Sequence, residues 1–304
     1  MEYFLGIDIG SSSIKVALVE VVTGKSAALV QEPEDEMSML ALENGWAEQD
    51  PEEWWDLVCK AIKRVKKEAN ISRTQIKGIG ISYQMHGLVL VDEKGRLLRK
   101  SIIWCDSRAV EIGKTAYEEL GTEKCDRELL NSPANLTESE LKWVRKNEPN
   151  LYDRIYKFML PGDYIAYRFT GKINTTISGL SEGVFWNFKN NQPASFLLEH
   201  LGISEDLIPE ITDTFGFQGE VNDRGEKESQ IAIGTPILYR AGDQPNNALS
   251  LNVFNPGEIA ATGGTSGVVY AITDNLSVKE SSRVNNFAHV NYEVGKETRI
   301  GKLL

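Results

Sequence analysis

The sequence predicts an α/β protein made of two related lobes that face each other across a cleft. Segments alternating apolar and polar residues with period two, the pattern of half-buried strands, are interleaved with segments of helical period. Two distant stretches also share one design. Asp8-Ile9-Gly10-Ser11-Ser12-Ser13-Ile14 and Thr262-Gly263-Gly264-Thr265-Ser266-Gly267-Val268 each read as a strand, a turn of glycine and small hydroxyl residues, and a second strand. The length of 304 residues agrees, giving a soft prior of about two domains.

The elements follow in order. Residues 3–9 are a short apolar run stopped by Gly10 and three serines, and Ile14, Val16 and Leu18 then alternate with Lys15 and Ala17. Thr23-Gly24 marks a turn before a third strand over 25–31. Asp50 is an N-cap with Pro51 in the first helical position and Glu53 placed to close a capping box. Trp54, Val58, Ala61, Ile62, Val65 and Ala69 form one face of that helix. Lys60, Lys63, Arg64, Lys66 and Lys67 form the other, read as a solvated face in preference to a nucleic-acid patch. A strand over 77–83 is broken by Gln84-Met85-His86-Gly87 and resumes over 88–91, and another apolar run covers 101–104. A helix follows Arg108 and runs through Leu120, and a capping box from Thr137 to Glu140 opens another. Residues 149–234 are mixed. Beyond them a strand over 236–240 ends at Ala241-Gly242-Asp243-Gln244, a helix-like stretch reaches Leu251, and strands cover 258–262 and 268–272.

Composition excludes several classes. Hydrophobic residues at 41% and charged residues at 25% are ordinary for a soluble globular chain. A net charge of −11 disfavours nucleic acid and anionic lipid as partners. No window approaches the ~18 apolar residues of a membrane span, and no basic, apolar leader is read at the N-terminus. Cys59, Cys105 and Cys125 are few and scattered, which predicts neither a zinc site nor a disulfide framework and fits a reducing cytoplasm. The division expected is a first lobe over 1–235 and a second beginning at 236. If the lobes are similar in size, the second is incomplete at Leu304, so the sequence predicts a truncated enzyme with unpaired strands between 258 and 272.

The residues that could do chemistry each carry two readings. A glycine-rich hairpin can gather backbone N–H groups and hydroxyls on a phosphate, or it can be a tight turn with polar tips. Finding it twice favours phosphate, with Ser11, Ser12 and Ser13 on one side and Thr265 and Ser266 on the other. Neither a P-loop nor a Rossmann fingerprint occurs. Asp8 in its apolar strand is placed to hold hydrated Mg²⁺, or to cap the turn. Asp243 at a strand end could take a hydroxyl proton, or could cap the helix that starts there. His86 has no metal-ligand spacing to His200 or His289 and reads more readily as a satisfied core or surface residue than as a ligand.

Taken in order, Gly6 to Lys15, Trp46 to Trp55, Gln84 to Gly87, Ile103 to Arg108, Leu160 to Tyr164, Ala241 to Gln244 and Gly263 to Gly267 resemble motifs of the FGGY family of carbohydrate kinases, and within it the branch that phosphorylates xylulose. The resemblance implies ribonuclease-H-like lobes of the actin and hexokinase type, with a complete N-terminal lobe and a partial C-terminal one. It implies transfer of the γ-phosphoryl of ATP, with Mg²⁺, to D-xylulose, giving D-xylulose 5-phosphate. On motif match, Asp243 is the general base and Asp8 assists Mg²⁺, mostly through water. Met85, His86, Trp104, Asp106 and Gln244 take the sugar. Gly10, Ser11, Ser12, Ser13, Lys15, Gly264 and Thr265 face the ATP phosphates. The likeness leaves open another acceptor (ribulose, gluconate or glycerol), a non-catalytic sugar-binding fragment, and a homodimer. The adenosine-binding segment of the family's second lobe has no match in the sequence.

Overall fold

The alternation in the opening residues builds the strand Tyr3–Ile9, which sends Tyr3, Leu5, Ile7 and Ile9 into the core and leaves Gly6 and Asp8 on the opposite face. The structure, a computed structural model, describes residues 1–134, 136–263, 267–281 and 283–304. Ile14–Glu20 and Ser26–Glu32 continue the first strand as an antiparallel meander. Ile76–Tyr83 lies parallel on its other side, Pro236–Gly242 is parallel to that strand, and Phe215–Glu220 closes the edge antiparallel. This meander continued by parallel strands is the ribonuclease-H-like lobe that the sequence led us to expect.

The helix Pro51–Glu68 covers the Leu5 and Ile7 face because Trp54, Trp55, Val58, Ala61, Ile62 and Val65 recur on one side and are buried. Asp50 caps it, accepting from the Glu52 amide at 3.0 Å. The reciprocal bond expected from Glu53 is not among those described, and its side chain is exposed. The basic face is solvated, as read, with Lys60 and Arg64 reaching Glu32 at 2.6 and 3.1 Å. The unreadable middle segment forms a second core, where Leu88, Leu90, Phe158 and Phe185 pack with Leu141, Val144, Leu197 and Leu198 from the helices Thr137–Asn147 and Ser195–Leu201.

Three expectations are corrected. The helix at Thr137 has Leu136 as its N-cap with no side-chain cap, because the Thr137 hydroxyl donates instead to the His86 carbonyl at 2.9 Å. Pro236–Gly242, assigned to the start of the second lobe, is hydrogen-bonded inside the first sheet, between Phe215–Glu220 and Ile76–Tyr83. The second sheet, ordered Ile259–Gly263, Gly267–Thr273, Ile300–Leu303, Asn285–Ala288, pairs Gly267–Thr273 on both sides. Only Ile259–Gly263 of the strands expected to lack neighbours is an edge, with Ile259 at 62% exposure. The last strand, Ile300–Leu303, supplies the inner neighbour of Gly267–Thr273. Among the described residues no helix is long and apolar enough to cross a membrane, and all three cysteines are free.

Pro236–Gly242 is anchored by charge as well as by its ladder. Arg240, fully buried, sets Nε 2.8 Å from Asp163 Oδ1 and donates from Nη2 to the carbonyl and the side-chain oxygen of Asn174. Asp163 also accepts from the Leu160 amide at 3.1 Å, at the start of the helix Pro161–Thr170. Arg240→Met would strand a buried carboxylate, so we expect a loss of about 3–5 kcal/mol in urea unfolding. Adding Asp163→Leu should recover much of it. A loss for the single variant under about 1 kcal/mol would mean that the pair does not hold this strand.

Candidate active site

Three strands end together. Tyr3–Ile9, Ile76–Tyr83 and Pro236–Gly242 run parallel, with Asp8 and Ala241 both level with Ser82. The segments that leave these ends are Gly10 to Ser13, Gln84 to Gly87 and the helix Asp243–Ser250. They meet in one cleft of about 680 Å³, lined among others by Asp8, Gly10, Ser11, Ser12, Lys15, Gln84, Met85, His86, Trp104, Asp243 and Gln244. Val268, Asn285 and Leu303 of the second sheet form its far wall. Ligands in open α/β sheets commonly bind beyond such carboxyl ends.

The first turn is closed by the Gly10 amide, which donates to the Ser13 carbonyl at 3.1 Å. The Ser11 carbonyl accepts from Gln49 Nε2 at 2.6 Å and the Ser12 carbonyl from the Met37 amide at 2.8 Å. Those acceptors are satisfied inside the protein, Gly10, Ser11 and Ser12 line the cleft, and Lys15 lies opposite Asp8 with Nζ 3.8 Å from its carboxylate. That donor set suits an anion. Ser13 departs from expectation: it is buried and lies outside the cleft lining. Gly264 and Thr265, with Ser266, lie outside the described residues.

Gln84 continues its strand, its amide donating to the Ile9 carbonyl at 2.7 Å. Its Nε2 donates to Gln49 Oε1, which leaves the buried Gln84 Oε1 without a described partner at the cleft, an acceptor that the sequence reading passed over. His86 adopts a left-handed backbone with φ 65°, and its Nδ1 lies 2.9 Å from the Glu182 carbonyl. A carbonyl only accepts, so Nδ1 carries the hydrogen and Nε2 keeps its lone pair. Burial lowers the imidazole pKa to about 4, so the ring is neutral at pH 7.

Trp104 is 55% exposed, and its indole donates to Ser11 Oγ at 3.3 Å. Asp106, expected in the sugar pocket, sits beneath it instead and is fully buried. It accepts from the Ala47 amide at 2.6 Å and takes Arg108 through both oxygens. Arg108 also reaches Glu48 and stacks 3.9 Å over Trp46. Asp106 therefore clamps the loop that carries Trp104.

Asp243 is the first residue of its helix. Gly242 occupies the N-cap without a side-chain bond, so capping does not explain the carboxylate. Burial first, and then the charge of Asp8, raise its pKa to about 6. Asp8 and Asp243 leave strands separated by one intervening strand, about 10 Å apart at the ladder spacing. A carboxylate held at that proton affinity can accept a proton near neutrality. Among the described residues no cluster of three His, Cys, Asp or Glu is assembled for a metal. Asp8 and Asp243 are the carboxylates among the described residues that line the cleft, a sparse oxygen set that fits a hard cation keeping most of its waters and does not fit zinc.

A sequence profile described as "FGGY family of carbohydrate kinases, N-terminal domain" matches residues 3–250. The chain is 28% identical over 298 residues to the xylulose kinase of Staphylococcus xylosus, covering 95% of this chain and 59% of that relative. The crystal structure of xylulose kinase from Rhodospirillum rubrum superimposes with TM-score 0.89 at 22% identity, over 99% of this chain and 60% of that one. Gluconate kinase from Lactobacillus acidophilus superimposes with TM-score 0.88 at 23% identity, over 99% of this chain and 59% of its own. The chain thus spans about three fifths of the relatives it matches, and the profile match over most of its length, together with the cleft at the three strand ends, shows that it belongs to the FGGY family of carbohydrate kinases.

Proposed function

We propose that this chain carries the sugar-binding and proton-accepting side of an ATP-dependent sugar kinase acting on D-xylulose. The observation that carries the reading is the convergence of Asp8, the Gly10–Ser12 turn, Met85, His86, Trp104 and Asp243 on one cleft, with Asp243 half-buried and its pKa raised to about 6. The sugar hydroxyl attacks the γ-phosphorus as its proton passes to Asp243. The oxygen–phosphorus bond to the acceptor forms, the bond to the β-phosphate bridging oxygen breaks, and ADP leaves. Lys15, Ser11 and Ser12 bind the phosphates. His86, with its Nε2 lone pair, accepts from a sugar hydroxyl, and Met85 and Gln244 shape the pocket. Asp8 would hold Mg²⁺ through water, supplying charge neutralisation on the phosphates. Gly264 and Thr265 complete the phosphate side on motif resemblance alone. The reading places the protein in the cytoplasm, where ATP is available. A kinase for gluconate is the second reading, favoured by the equally close structural likeness just described.

Isothermal titration of the 304-residue chain with D-xylulose, gluconate, glycerol and ATP tests this. D-xylulose should bind roughly tenfold more tightly than gluconate or glycerol, a difference of about 1.4 kcal/mol. Tighter gluconate binding would exchange the acceptor, and no sugar binding would end the proposal. Sugar binding without ATP binding would identify a sugar-binding module. Where phosphoryl transfer is measurable, Asp243→Ala should lower it by about 10²–10⁴-fold and leave D-xylulose affinity nearly unchanged. Retained turnover would remove Asp243 from the base role.

Asp243 also predicts a pH dependence. Its folded pKa lies above the ordinary value of 3.8, so the folded chain holds an extra proton between about 3.8 and 6. Stability is lost as pH rises through that window, and the cost is complete above it. In magnesium-free buffer at pH 7.5, Asp243→Asn should therefore stabilise the chain by about 3 kcal/mol, with the gain vanishing near pH 4. A gain independent of pH would refute the assignment.

A further inference from the structure

A buried acid packs behind the described cleft. Glu182 closes the short helix Ile177–Glu182, is 1% exposed, and does not line the cleft. It nevertheless touches two of the three segments that do. Its Oε1 accepts from the His86 amide at 3.3 Å, and its own carbonyl takes the His86 ring at Nδ1. Its Oε2 has no described hydrogen-bond partner and packs on Gly242, where a Cβ would lie 2.6 Å from Oε2 and 2.6 Å from Met85 Cγ. Only glycine fits between Glu182 and the residue that precedes Asp243.

We propose that Glu182 is a positioning residue for the sugar site: its carboxyl holds His86 in the left-handed conformation that turns the imidazole to the cleft, and braces the Gly242–Asp243 junction against Met85. The proposal rests on the sugar-kinase reading for its ligand, though its structural claim stands on the contacts. A non-glycine residue at positive φ costs on the order of 1 kcal/mol or more and persists when its surroundings impose it. Glu182 imposes it twice, through side chain and main chain. The groups that face Glu182 favour a neutral carboxyl: burial acts first, the charges of Asp243 and Asp163 add to it, and the phenols of Tyr83 and Tyr270 stand near. A glutamine is then its close isostere.

The test uses the whole chain labelled with ¹⁵N-histidine. Its three histidines give three imidazoles, and His86→Gln assigns the one of interest. In the wild type, His86 should be the Nδ1–H tautomer and stay neutral to about pH 4. Glu182→Ala removes the bond to the His86 amide and keeps the main-chain carbonyl at Nδ1; by freeing the His86 backbone it should loosen the ring, move its titration towards the ordinary 6.5, and weaken D-xylulose binding roughly tenfold. Glu182→Gln, which keeps the acceptor for the His86 amide, should stay within about threefold of wild type in binding and keep the tautomer. A wild-type His86 that carries its proton on Nε2 or titrates near the ordinary value overturns the proposal, as does a folded Glu182→Ala chain with unchanged signal and affinity. If Glu182→Ala does not fold, Glu182→Asp, one methylene too short to reach the His86 amide, takes its place with the same expected shifts. A wild-type chain that binds no sugar refutes the kinase reading, and the histidine signature still decides the role of Glu182.

Discussion

Everything at the cleft depends on the parallel register of three strands. Hydrogen bonds hold Tyr3–Ile9, Ile76–Tyr83 and Pro236–Gly242 level, so that Asp8, the Gln84–Gly87 segment and Asp243 emerge side by side. A slip of one residue would turn each side chain to the opposite face. The alternation that buries Leu5, Ile7 and Ile9 therefore also fixes where Asp8 points. Core and site are specified by one pattern.

The electrostatics work against the fold and towards chemistry. Asp163, Glu182 and Asp243 crowd the same region, and burial raises the proton affinity of all three. Arg240 compensates Asp163 directly. Among the described residues Glu182 and Asp243 have no such cationic partner, and the proton affinity of both stays raised. An arginine beside Asp243 would stabilise the chain and lower that carboxylate's proton affinity.

Much of this was legible in the sequence. The opening strands and the turn between them announced themselves through period two and a run of small residues, and the Pro51–Glu68 helix through its apolar stripe. Asp8, Ser11, Ser12, Lys15, Met85, His86, Trp104, Asp243 and Gln244 do converge on one cleft. What failed was partnership across distance. Pro236–Gly242 looks locally like the start of something new, because nothing in a strand's own residues says which parallel neighbours it will find. Asp106 was misplaced because pocket and clamp call for the same residue type, and Arg108, which decides between them, acts only once the loop is folded. Ser13 turns inward because its residue belongs to the edge of the next strand. Glu182 lay in the segment without clear pattern, and its partner His86 is 96 positions away.

Gln49 joins three parts of the molecule through a single amide. Its oxygen accepts from the Trp54 indole and from Gln84, while its nitrogen donates to the Ser11 carbonyl. Rotating that amide by half a turn would set donor against donor and acceptor against acceptor at every contact, so one orientation is enforced. The first helix, the Gln84–Gly87 segment and the serine turn are consequently tied together by one side chain. The opposite wall of the cleft, the sheet bearing Val268, Asn285 and Leu303, has no part in that tie.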